Sequence, residues 1–432
     1  MKKTVVIIIV VLALVVLITP GVIGHLAESS LDENLDFAAD ESRELILTSS
    51  NFERGWFTSE GRHEFEVGQG ELRRIMLERG LVSDNLPTIV IDTRLDHGLV
   101  PVSSLQRDNG TLAPGLGNAV STVSFEFAGV PLEFPGTFYS HVGVSGALES
   151  RLVMEPGDIG DIRWNAVDLT FIADAAAQRF GIQGDIGSFA IEEDGETVIV
   201  GEVHIDAVQT LGDYGLVTGP AEFFVESFSI VDANGAFEGG PLTITSDAVF
   251  AGSRINYEAA MTVDRVPFPP VSDNASVSLA LRFTGFDAES LGRLQAEADA
   301  MSDDDDDIPP GLIDAAADLF AAGFEIHFDE FSIGLPEGQA DMTLHASIAE
   351  VDADEFSWPG ALFSSIADGR ISIPAPIMET LMQLDDSVPV VVGMGYLSLQ
   401  DGHYVSELSL ADGVVTINGA PTPLAPLLGI SN

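Results

Sequence analysis

The chain has 432 residues, 46% of them hydrophobic, and no cysteine. That is enough to bury one large core or two ordinary ones, which excludes a disordered chain and a disulfide-stapled miniprotein. Its 18 Lys and Arg against 68 Asp and Glu leave a net charge of −50, with no basic stripe to release counterions from phosphates, so nucleic acid is not an expected partner.

Both lysines are Lys2 and Lys3, and every later basic side chain is arginine. A surface so acidic needs screening to stay compact, which concentrated salt supplies, and this predicts a halophilic source. Divalent-cation binding by acid clusters is the competing reading.

Residues 4–24 carry no charge and are rich in Val, Ile and Leu; as a helix they would span about 31 Å, enough to cross a bilayer. Lys2 and Lys3 precede them and Glu28, Asp32 and Glu33 follow, which predicts a single pass of the inner membrane with the bulk of the chain on the periplasmic side. A cleaved signal peptide is the rival, but the stretch from Val22 to Ala27 fits a cleavage site poorly. Residues 1–25 thus form the expected anchor. Residues 26–50 form an amphipathic stalk helix, with Leu31, Leu35 and Ala38 at helical spacing, and a first strand.

From residue 51 the period becomes two. Val123, Phe125 and Phe127 alternate with polar residues, as do Val277, Leu279, Leu281 and Phe283, and Phe324, Ile326 and Phe328, which predicts half-buried strands. Four runs end in turn chemistry suited to hairpins: Phe189 to Ile191 before Asp194-Gly195, Phe228 to Ile230 before Asn234-Gly235, Phe331 to Ile333 before Pro336 to Gly338, and Leu397 to Leu399 before Asp401-Gly402. Short helices are expected at 70–80, 287–301, 311–322 and 377–384. Asp303 to Asp307 are five consecutive aspartates, read as a solvated loop and domain boundary. The predicted class is α+β, predominantly antiparallel β: a transmembrane helix, then an elongated, curved sheet of stacked hairpins with a few short helices. A β-rich external region covers 51–302, an acidic Pro-containing loop 303–310, and a second β-rich region 311–432.

Chemical signatures are sparse. Gly143 to Gly146 lacks the spacing of a nucleophile elbow, and Pro114 to Asn118 lacks the Lys-Ser/Thr of a phosphate loop. The eight histidines form no His-x-x-x-His pattern, so no metal, cofactor or catalytic set is expected, and His63, His204 and His345 read as solvated strand positions. Asp96 with His97 is the one weak functional candidate.

The segment Arg54-Gly55-Trp56-Phe57-Thr58-Ser59 reads as a tight structural corner, with Gly55 free to adopt backbone angles barred to other residues and two aromatics to anchor it. Following a strand-like Leu45 to Leu47, it resembles the aromatic "RGxF-S" turn of the YdgA-like family of bacterial proteins, domain of unknown function 945. Arg54, Gly55, Phe57 and Ser59 match. Asp96 to Pro101 is partly similar to that family's "HGPLP" stretch, and Asp412 to Gly419 to its closing hairpin. The resemblance implies an envelope protein and carries no catalytic residues.

The expected role is non-enzymatic: a membrane-anchored envelope protein offering a sheet face or groove to a lipid or other hydrophobic cargo, or to a protein partner. The alternative is a scaffold or homodimer formed through exposed strand edges. An envelope hydrolase ranks third.

Overall fold

The computed structural model describes residues 45–54, 58–68, 73–74, 87–97, 115–127, 130–143, 145–159, 162–176, 178–193, 195–232, 235–268, 272–299 and 309–422. The expected anchor at 4–24, stalk helix, acidic run at 303–307 and all but two residues of the helix at 70–80 lie outside them. No helix among the described residues is long and apolar enough to cross a membrane.

In chain order the strands are β1 (Leu45–Arg54), β2 (Thr58–Val67), β3 (Thr88–His97), β4 (Gly115–Phe127), β5 (Val130–Gly143), β6 (Leu148–Met154), β7 (Gly157–Ile159), β8 (Ile162–Trp164), β9 (Val167–Ala173), β10 (Arg179–Ile186), β11 (Phe189–Glu193), β12 (Glu196–Val200) and β13 (Val203–Leu211). They continue with β14 (Val217–Thr218), β15 (Ala221–Val225), β16 (Phe228–Asp232), β17 (Gly235–Gly239), β18 (Leu242–Ala251), β19 (Arg254–Phe268), β20 (Ser272–Asp287), β21 (Phe324–Leu335) and β22 (Gly338–Ile348). The last are β23 (Ile366–Pro374), β24 (Ser398–Gln400), β25 (His403–Ala411), β26 (Val414–Ile417) and β27 (Ala420–Thr422). Five α-helices are described: α1 (Ala288–Asp299), α2 (Pro310–Ala321), α3 (Trp358–Ser364), α4 (Ala375–Leu384) and α5 (Ser387–Gly393). The class is therefore mostly antiparallel β with few helices, as the alternation predicts.

The chain divides into two compact units, residues 1–210 with 228–236, and 211–227 with 237–432. In the first, β1 to β6 form an antiparallel meander continued by β9, β10 and β13. Phe65, Ile89 and Phe125 stand directly opposite one another on β2, β3 and β4, all deeply buried. Each such side chain contributes about 1.5–3 kcal/mol by leaving water. β7, β8, β11, β12 and β16 belong to a smaller sheet.

In the second unit β15, β18, β19, β20, β21, β22, β23, β25, β26 and β27 pair in that order, all antiparallel. The expected boundary at 303–310 falls inside this unit, between β20 and β21, which pair along their length. All four predicted hairpins form, and Gly195, Gly235, Gly338 and Gly402 at their turns take positive φ.

Three predicted helices are present, α1, α2 and α4, and their ends follow from local chemistry. Asp287 accepts from the backbone N–H of Ser290 at 3.0 Å to cap α1, while Pro310 opens α2 and Gly323, at φ 70°, closes it. At this end of the sheet Leu216, Ile255 and Ala288 are buried beneath Phe250, Tyr257, Phe286 and Leu291. Burial there pushes the Tyr257 hydroxyl pKa up. Aromatic contacts run from Phe286 to Phe324 (4.6 Å), Phe320 (5.1 Å) and Trp358 of α3 (5.1 Å). Arg254 stitches the same corner, donating from Nη1 to the carbonyls of Gly285 (2.6 Å), Ala322 (2.8 Å) and Gly323 (2.7 Å).

Candidate functional site

The sequence-predicted residues lie in the first unit. Arg54 ends β1 opposite Ser59 of β2, so the motif spans a hairpin connection, and Gly55, Trp56 and Phe57 lie outside the described residues. Ser59 is buried. Asp96 of β3 is 0% exposed and stands between Thr58 and Asn118, whose Oδ1 accepts a hydrogen bond from His141 Nδ1 at 2.7 Å. His97 closes the same strand opposite Gly117.

The second unit holds an apolar row that no single stretch of sequence displays. Phe223, Ile244, Met261, Leu279, Phe331, Met342 and Ile371 are successive cross-strand partners on β15, β18, β19, β20, β21, β22 and β23. Directly opposed residues share a face, so all seven side chains stand on one side of the sheet. A second row runs beside them, Leu281, Phe328 and Leu344 in direct opposition and then Leu408 of β25 across Gly369, and Val263, Val277 and Ile333 flank the other side. The row is not sealed. Phe223, Ile244 and Ile371 are 36%, 39% and 37% exposed, and the four central members are half-buried.

The opposite face carries a polar row: Glu258, Arg282, His327, His345, Asp368 and Ser409 are opposed in turn on β19, β20, β21, β22, β23 and β25. The His327 and His345 rings stack 4.4 Å apart at 20°. Glu325 Oε2 lies 3.1 Å from His327 Nε2 and 4.0 Å from His345 Nε2, and Asp368 Oδ1 lies 3.4 Å from His345 Nδ1. Arg282 beside them is held by Asp329 at 2.9 Å.

No curated protein and no solved structure matches the chain significantly. The bacterial protein family of unknown function DUF945 matches residues 1–425, and with nearly its full length inside that match this chain is a member of the DUF945 family.

Proposed function

We propose that this protein is a non-enzymatic envelope binding protein, held to the inner membrane by residues 4–24, whose second unit receives an extended apolar ligand such as a lipid acyl chain across its sheet. The half-exposed row from Phe223 to Ile371 carries this reading. A soluble sheet normally seals such a face, because leaving it wet forfeits about 25 cal/mol for every Å² of apolar surface. Here helices cover the end built on Ile255 and Phe286, while the row itself stays partly open.

Six strand spacings of about 4.8 Å make the row about 29 Å long, and an extended acyl chain, spanning half a bilayer core of about 30 Å, fits within it. Every member is a carbon or thioether side chain, and Met261 and Met342, third and sixth along it, adapt to ligands of differing shape. Strand addition at the β27 edge is disfavoured, since that strand has three residues and Pro421 offers no N–H.

The test compares the full chain with Leu279→Glu and Phe331→Glu, titrating a fluorescent fatty acid into each. At least tenfold weaker binding by both variants, with unchanged circular dichroism, is expected. Equal affinities in all three proteins would refute the reading, because any binding by the N-terminal segment is common to them.

A further inference from the structure

We propose that Glu325, His327 and His345 bind a divalent transition-metal ion of the zinc class on the polar face of the second unit's sheet, with Asp368 orienting His345 from behind. The three side chains offer two imidazole nitrogens and a carboxylate oxygen, all within 4.8 Å of one another. Zinc takes such donors at about 2.0–2.2 Å, which in tetrahedral geometry sets neighbouring donors about 3.4 Å apart. The Glu325 to His327 distance of 3.1 Å and the Glu325 to His345 distance of 4.0 Å lie on either side of that value.

His345 supplies the second observation. Its Nε2 is shut off from solvent and makes no hydrogen bond, an arrangement costly for a polar atom with no function. Asp368 Oδ1 lies 3.4 Å from Nδ1, on the side of the ring away from Nε2, which is where a carboxylate stands when it orients a metal-binding imidazole. The local charge also suits a cation. Arg282 is offset by Asp329, so Glu325 and Asp368 remain as two negative charges beside two imidazoles. Imidazole with carboxylate favours zinc, nickel or copper over calcium or magnesium, which prefer all-oxygen shells. Three protein donors leave a position open to water.

The site is also a clamp, for its ligands lie on β21 and β22 and its orienting group on β23. An ion there ties three strands through side chains in addition to the backbone ladder.

Zinc is titrated into the chelator-treated full chain against a chromophoric competitor, and thermal unfolding is followed with and without it. One tight equivalent is expected, with a higher unfolding midpoint by mass action. His327→Gln with His345→Gln should abolish both, and Asp368→Asn should weaken binding by about 10–100-fold. Copper-loaded wild-type chain gives a reading independent of any variant: its paramagnetic resonance spectrum should carry the hyperfine pattern of two imidazole nitrogens. A double variant that keeps the tight equivalent, or a copper spectrum without two nitrogens, overturns the proposal.

Discussion

Arg254 offers the sharpest stability test, because one side chain closes a corner assembled from three parts of the chain. Its Nη1 reaches the carbonyls of Gly285, Ala322 and Gly323, the last two at the C-terminal end of α2, where the helix dipole favours a cation. Arg254→Met keeps the aliphatic stem and removes the donors. A hydrogen bond to a charged group is worth about 1.5–3 kcal/mol. The side chain is 31% exposed, so water takes over part of the lost bonding and about 1 kcal/mol per carbonyl is the fitting figure. The ion pair to Glu350, itself 75% exposed, adds little. The expected loss is about 3 kcal/mol, or about 6–12 °C in the midpoint of a unit this size. Arg254→Lys, whose ammonium keeps the charge but sits on a shorter side chain than the one that carries Nη1 to these carbonyls, should lose about half as much. Urea unfolding with hydrogen exchange read on peptides from α2 and β21 localises the effect. If both variants stay within about 0.5 kcal/mol of wild type, the stitching argument is wrong.

Three further outcomes are expected. Gly184→Ala should destabilise the first unit far more than Gly195→Ala in urea unfolding, since a Cβ at Gly184 would lie 2.0 Å from the Asp168 carbonyl oxygen whereas Gly195, at φ 88°, has open space around it; comparable midpoints would contradict the cross-strand packing. Arg151 hydrogen-bonds Asp168 and lowers its carboxyl pKa, so that contribution is present above the unfolded carboxylate pKa and is lost as pH falls through the depressed folded value; Asp168→Asn should flatten that part of the acid limb, and an unchanged acid titration of stability would refute it. With a net charge of −50, the unfolding midpoint should rise from 0.01 M to 1 M NaCl as the Debye length shrinks from about 30 Å to about 3 Å, KCl should match NaCl, and a flat profile would rule out screening.

Strands and hairpins were legible because alternation and positive-φ turn residues are local signals. α1, α2 and α4 were legible for the same reason, each opening on Asp or Pro. α3 and α5 have seven residues each, too few to set up an amphipathic period. The histidine pair was hidden by a single extra residue. The turn pairs Leu335 with Gly338, and that register, continued unbroken, would set His345 opposite Phe328. A bulge between Phe328 and Phe331 shifts it by one and brings His345 to His327, on one face. The apolar row was readable strand by strand, but its span depends on the registers of seven strands, and no local pattern encodes those.

The central claim is the location of the apolar ligand, and photocrosslinking tests it most directly. A fatty acid carrying a diazirine near its methyl end is bound to the full chain, irradiated, and the adducts are mapped by peptide mass spectrometry. The account predicts adducts concentrated on β18 to β22, around Ile244, Met261, Leu279, Phe331 and Met342, and competed away by unlabelled fatty acid. Adducts spread evenly over both units, or absent from those five strands, would contradict it.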